Sequence, residues 1–255
     1  MKRAILAVAV AALGLSLSVG AFAAGDDVKH PEQRSWSWDG VFGKFDRSQL
    51  QRGYQVYKEV CAACHALQYV SFRNLTEIGF SDGQAKALAA SYEVDDGPND
   101  EGEMFKRPGR LADGLPKPFA NEKAARAANN GAFPPNLSLM TKARHDGPNY
   151  LYSLLIGYGQ PPAGVKLSEG MNYNPYFSGN QIAMAPPLTD GALQYGDNTQ
   201  ATVKQMAEDV TAFLTWSAEP SLEARKRLGF KVMIFLLVMT GLFIAAKQRV
   251  WRDVR

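Results

Sequence analysis

Cysteine and histidine are scarce in this chain: its 255 residues include two of the first and three of the second. The two cysteines, Cys61 and Cys64, lie three apart, so they cannot tie distant parts of the fold together. That excludes a disulfide-stapled scaffold. Beyond these cysteines a zinc site would have only His30, His65 and His145 to draw on. There is no internal repeat and little net charge, yet 46% of the residues are hydrophobic, which excludes a wholly disordered chain. The formal charge of +3 also conceals an uneven distribution. Residues 1–23 carry Lys2 and Arg3, and residues 225–255 carry eight basic side chains against Asp253. Removing those +2 and +7 contributions leaves −6 for residues 24–224. The central domain is acidic, which argues against nucleic acid as its partner.

Long uncharged runs are equally few. The first follows Lys2 and Arg3, extends from Ala4 to Leu17 and leads to Ala21-Phe22-Ala23, a small-x-small cleavage pattern. Residues 1–23 therefore read as an export signal. The second, Leu228 to Ala246, has 19 residues with Lys231 as its one charge. At ~1.5 Å per residue it covers about 29 Å, close to the ~30 Å of a hydrocarbon core. A buried core helix is the alternative, but no other segment is apolar enough to surround it. Arg225, Lys226, Arg227 and, near its start, Lys231 are matched by Lys247, Arg249, Arg252 and Arg255 after it, so the charges do not orient the span. The export signal does: residues 24–224 are expected outside, which is the periplasm for a bacterial signal of this kind. Residues 225–246 are then basic flank and span, and 247–255 a cytoplasmic tail. The expected site is the inner (cytoplasmic) membrane, crossed once.

The cysteines belong to Cys61-Ala62-Ala63-Cys64-His65, the pattern for covalent attachment of c-type haem. Positions i and i+3 of a helix project the same way, so both thiols reach the vinyl groups along one haem edge. The adjacent imidazole can then turn under the porphyrin to the iron. A thioredoxin-like pair would need a preceding strand in a βαβ unit, whereas the preceding residues read as a helix. Asp46 or Ser48 can cap it, and Leu50, Tyr54, Tyr57, Cys61 and Cys64 recur at helical steps. Gly53, beside Tyr54, costs ~1 kcal/mol of helix propensity and implies that another backbone approaches there. The expected partner is the helical stripe from Ala201 to Ser217.

The iron face opposite His65 separates electron transfer from gas binding or peroxidase chemistry. Met140, Met171 and Met184 lie mid-domain, and Met206 belongs to a helical stripe. Met184 stands in Ile182-Ala183-Met184-Ala185-Pro186-Pro187-Leu188, where proline lowers loop entropy and can hold a thioether in place. His145 and His30 read as surface residues. Arg126 is the strong cation of an Ala-rich helical stretch, Asn121 to Gly131. It suits a buried carboxylate or, equally, an exposed helix face.

Several runs in order resemble the cytochrome c1 family, the haem-c subunit of the quinol:cytochrome c oxidoreductase (cytochrome bc1) complex. They are the haem motif, Ala124-Ala125-Arg126-Ala127-Ala128-Asn129-Asn130-Gly131-Ala132, Pro134-Pro135-Asn136-Leu137-Ser138, the Met-Ala-Pro-Pro loop, and Phe213-Leu214-Thr215-Trp216-Ser217-Ala218-Glu219-Pro220 before the span. The resemblance covers roughly residues 36 to 255. It implies one covalent haem c, with Cys61 and Cys64 in thioethers, His65 and Met184 as iron ligands and Arg126 near a propionate. It also implies cytochrome b and a Rieske iron–sulfur protein as partners, the latter as electron donor. Some members brace the loop before the methionine with a further cysteine pair. This chain has none, so residues 157–179 must be held by proline and packing.

The expected fold is mainly α, a c-type cytochrome domain with long loops plus one C-terminal transmembrane helix. Short helices are expected near 84–94, 121–130 and 149–156, between Gly/Pro-rich connections at 95–118 and 157–179, with no strand pair. The first connection opens with Glu93, Asp95, Asp96, Asp100, Glu101 and Glu103, six acids in eleven residues with no base among them. Such a run is either a solvated loop or a docking surface for a basic soluble c-type cytochrome. The chain then reads as an electron carrier, not an enzyme by itself. Alternatives are an anchored cytochrome serving an oxidase or another dehydrogenase, a haem sensor or enzyme with an open iron face, and a thiol–disulfide oxidoreductase.

Overall fold

The computed structural model describes residues 28–254; the expected export signal lies outside them. Among the described residues the α-helices are α1 (Arg47–Glu59), α2 (Asp82–Ala90), α3 (Glu122–Ala128), α4 (Gly147–Ile156), α5 (Val203–Ala218) and α6 (Leu222–Val250). The expected short helices are thus present near their expected positions. Each begins where local chemistry allows. Asp46 caps α1 by accepting from the Ser48 and Gln49 amides, Ser81 and Gln84 form a capping box on α2, and Asn121 and Thr202 cap α3 and α5.

The core is organised around the packing of α1 on α5. Leu50, Tyr54, Val56 and Tyr57 of α1 face Met206, Val210, Phe213 and their neighbours on α5 within one buried cluster. Tyr54 and Tyr57 both pack on the Phe213 ring, with centroids 5.6 and 5.9 Å away. Gly53 marks the point of closest approach, as the sequence implied. A Cβ placed there would lie 2.0 Å from the Asp209 carbonyl oxygen and 2.7 Å from Phe213 Cβ. Beside it Arg52 crosses to α5 and donates to the buried Asp209 carboxylate at 3.0 and 3.2 Å and to Asp197 at 2.8 Å. The crossing is therefore fixed by an apolar face, a missing side chain and a charge-assisted fork.

Two expectations need correction. The helical stripe does not run unbroken through the cysteines, because α1 ends at Glu59 and Cys61–Ala63 form a single 3-10 turn. The connections also contain strand pairs. β1 (Glu93–Asp96) pairs antiparallel with β2 (Phe105–Pro108), and β3 (Asn172–Tyr173) with β4 (Gln181–Ile182). Half of the acidic run thus lies on β1, and two of its acids meet bases from β2, which follows the run. Asp96 is paired with Arg107, and Glu93 lies 3.6 Å from Lys106.

Helix α6 is the element that no core surrounds. Its 29 residues have one buried member, Leu222, and its most apolar stretch has a mean hydropathy of 2.3 with no part buried. That disposes of the buried-core alternative and leaves a helix long and apolar enough to cross a membrane. Its first turns are clamped to the domain. Glu223 accepts two bonds from Arg47, each 3.0 Å, and one from the Phe45 amide at 3.0 Å.

Candidate functional site

Cys61 opens the 3-10 turn and Cys64 is its C-cap, so the two thiols stand at its two ends. The amides of Cys64 and His65 both donate to the Cys61 carbonyl, at 3.1 and 2.9 Å, so the turn closes on itself. Cys61 is packed against the core, and this burial pushes its thiol up to about 12. Cys64 is exposed. One thiol thus belongs to the wall of the site and the other to its rim.

His65 is fixed by a segment distant in sequence. Its Nδ1 lies 2.8 Å from the Pro135 carbonyl oxygen. A carbonyl can only accept, so Nδ1 carries the proton and Nε2 presents its lone pair. Burial pulls the imidazole pKa below its usual value, favouring the neutral, ligating form, against a smaller opposing effect of the Pro135 carbonyl. The backbone is held as well: the Tyr57 hydroxyl donates to the His65 carbonyl at 3.2 Å. Residues 134–138 continue alongside residues 65–69. The Leu137 amide donates to the Ala66 carbonyl at 2.9 Å, and the Tyr69 amide to Ser138 Oγ at 3.1 Å. Ser217 of α5 in turn donates to the Ser138 carbonyl at 3.3 Å. The hydrogen bonds that Pro135, Ser138 and the Tyr57 hydroxyl make to this segment are the part that sequence reasoning did not assign. The run Pro134 to Ser138 was visible as a motif, but its task, orienting an imidazole through a main-chain carbonyl, has no side-chain signature.

The four candidate methionines divide. Met206 is fully buried and Met140 nearly so, both within the core cluster. Met171 and Met184 are half-buried on either side of the β3–β4 hairpin. Met184 lies two residues past the end of β4, and its carbonyl accepts from Asn172 Nδ2 at 3.4 Å. The hairpin is anchored below by Asn174, which is buried and donates to the Leu154 carbonyl at the end of α4 at 2.8 Å. So the methionine loop is braced without a disulfide. A cleft of about 480 Å³ lies beside this hairpin, lined by Ile156, Tyr158, Met171, Tyr173, Pro186 and Leu188 among others.

Arg126 occupies an exposed face of α3. It is paired with Glu122 at 2.7 Å, donates to the Gly131 carbonyl at 2.9 Å and lies over the Phe133 ring, 5.5 Å from its centroid. Its carboxylate partner Glu122 is itself exposed. His30 and His145 are both exposed.

The donor set suits a covalently held haem. It offers two thiols at the ends of one turn and an imidazole with a free Nε2. Large side chains, Tyr69, Phe133 and Leu139, stand exposed in the two segments that flank His65. The rival readings of the cysteines lose support, since a helix rather than a strand precedes them. Among the described residues no cluster of three or more His, Cys, Asp or Glu is placed to hold a metal ion.

Residues 36–254 match the Cytochrome C1 family. The chain belongs to that family. Cytochrome c1 of Rhodospirillum rubrum is 48% identical over 97% of this chain and 97% of its own length. The mitochondrial cytochrome c1 1, heme protein, of Arabidopsis thaliana is 49% identical over 97% of this chain and 81% of its own. The cytochrome b/c1 of Bradyrhizobium diazoefficiens is 51% identical over 88% of this chain, which corresponds to 36% of that longer protein. A cytochrome c1 carries haem c, and the chain is accordingly a haem-containing electron-transfer protein.

Proposed function

We propose that this cytochrome c1 is the anchored haem-c subunit of a bc1 complex, taking one electron from a Rieske iron–sulfur protein and passing it to a soluble basic c-type cytochrome. Cytochrome b is its other partner, a reading supported by the b/c1 name of the Bradyrhizobium relative. The observation that carries the proposal is the His65–Pro135 contact beside the two thiols, because it holds Nδ1 protonated and leaves Nε2 as the nitrogen that can bind iron. Haem, when bound, supplies a one-electron iron couple. The chain's part would be to hold it, with Cys61 and Cys64 as thioethers, His65 Nε2 and Met184 as iron ligands, and Arg126 pairing with a propionate. The exposed pair of Arg126 with Glu122 is of a kind worth only ~0.3–0.5 kcal/mol, so the guanidinium can exchange that partner at little cost. Thioether ligation raises the reduction potential by favouring ferrous iron.

Residues 24–224 are proposed to face the periplasm, with α6 crossing the membrane and residues 247–255 in the cytoplasm. The acids of the β1–β2 region are proposed to steer the acceptor. Asp95, Asp100, Glu101 and Glu103 are exposed, as are Met104 and Phe105 next in the chain.

The test of the ligand set is Met184→Leu in the purified complex, with Met171→Leu as control. Met184→Leu is expected to give a lower potential and carbon monoxide binding by ferrous haem at neutral pH, while Met171→Leu leaves both unchanged. Unaltered six-coordinate haem and potential in Met184→Leu would remove Met184 as the ligand. Carbon monoxide binding by the unaltered protein would instead favour an open-site sensor or enzyme.

A further inference from the structure

The turn at residues 38–43 places Val41 and Phe42 at its tip, 64% and 77% exposed. Two large apolar side chains at the end of a loop are costly in water, and here the loop is built to keep them out. Gly43 is folded back so tightly that a Cβ would lie 2.0 Å from the Asp39 carbonyl oxygen. Trp36 and Trp38 stack behind it at 4.9 Å, and Trp38 packs on Phe45 at 5.2 Å. The Lys44 amide closes the base on the Ser37 carbonyl at 2.9 Å.

The tip is attached to α6 where that helix becomes apolar. The Phe42 ring meets the Phe230 ring edge-on, with centroids 5.7 Å apart, and Phe230 is the third residue of the stretch that begins at Leu228. One helical turn earlier, Lys226 Nζ donates to the Trp38 and Gly40 carbonyls at 2.5 and 2.6 Å. A loop entering the edge of a bilayer must have its backbone acceptors satisfied from within, and this ammonium satisfies two of them. Lys44, two residues after Phe42, and Arg227 and Lys231, within three residues of Phe230, add positive charge suited to lipid phosphates.

We propose that the turn at residues 38–43 is a second membrane contact, with Val41 and Phe42 inserted among lipid acyl chains at the level of Phe230. The contact fixes the tilt and height of the domain over its single helix. It rests on the reading of α6 as a membrane span. With Cys61 and Cys64 both in thioethers, an introduced cysteine is the one free thiol. Phe42→Cys, Leu237→Cys and Glu101→Cys holoproteins are each spin-labelled in nanodiscs of phosphatidylcholine and phosphatidylglycerol. Collision of the label with oxygen, which partitions into lipid, is then compared with collision with a water-soluble nickel chelate.

The expected result is that the label at 42 resembles the one at 237, favouring oxygen, while the label at 101 favours nickel. A label at 42 that behaves like the one at 101 overturns the proposal while the span stands. A label at 42 shielded from both reagents means that protein, not lipid, covers the turn, and overturns it equally. An aqueous label at 237 removes the span and the proposal with it.

Discussion

At Gly53 one absent side chain decides how two helices meet. The carbonyl of Asp209 occupies the space a methyl group would need, 2.0 Å from the Cβ position, and that carbonyl belongs to a helix buried along most of its length. Gly53→Ala would gain ~1 kcal/mol of helix propensity and lose more than that by forcing α1 from α5, since overpacking typically costs about 1–3 kcal/mol even where the core can adjust. A backbone obstacle cannot adjust by changing rotamer. The expected outcome is a net loss of stability and a Tm lower by several degrees in thermal unfolding of the holoprotein. A Tm equal to or above that of the unaltered protein would show that the helices can separate freely at this point. The glycine was legible in the sequence because it contradicts its own helix. The residues that orient His65 were not, because the Pro135 carbonyl is common to every residue type and only the fold brings it within 2.8 Å of Nδ1.

Among the elements, the β1–β2 hairpin was the one least visible in the sequence. Glu-Val-Asp-Asp has weak strand propensity, and the pairing depends instead on charges contributed by the opposite strand and the loop after it. Arg107 is the hub: it pairs with Asp96 and forks onto Asp113 at 2.6 and 3.0 Å. The guanidinium and the Arg110 amide hold the Asp113 carboxyl down at about 2 from a usual 3.8, and Arg107 with the Gly97 amide lowers Asp96 in the same direction. A depressed carboxylate contributes its full stabilisation above its unfolded pKa and loses it as pH falls through the folded one. The hairpin is therefore expected to be held at neutral pH and to loosen progressively between about pH 4 and pH 2. Amide hydrogen exchange of β1 and β2 across that range reads the change, after correction for the intrinsic pH dependence of exchange. In Arg107→Gln the strands are expected to be loose at neutral pH and to show little further change on acidification. Retained protection at neutral pH in that variant would assign the hairpin's stability to the backbone ladder alone. The methionine hairpin was missed for a different reason: two residues per strand fall below what periodicity can detect, and its support comes from Asn172 and Asn174, whose targets lie 12 and 20 residues away.

For the whole molecule, the division of charge was the most informative feature of the sequence, because it separates a basic anchor from an acidic working domain before any fold is known. The structure refines which acids are available to a partner. Glu93 and Asp96 are engaged across the hairpin, whereas no ion pair involves Asp95, Asp100, Glu101 or Glu103 among the described residues. These four should carry the long-range attraction, and the other two should maintain the strand pair. Asp95→Asn, Asp100→Asn, Glu101→Gln and Glu103→Gln combined are thus expected to slow the second-order rate of electron delivery to a basic cytochrome c by about tenfold at low salt. They should also flatten the dependence of that rate on ionic strength. The difference should shrink as salt approaches ~0.1 M, where the Debye length is about 10 Å. Glu93→Gln with Asp96→Asn should change the rate less and hairpin exchange more. Stopped-flow rates measured against ionic strength distinguish the cases: an unchanged rate and slope in the fourfold variant would return the acidic run to the status of a solvated surface, leaving the acceptor to dock elsewhere around the exposed edge of the haem site.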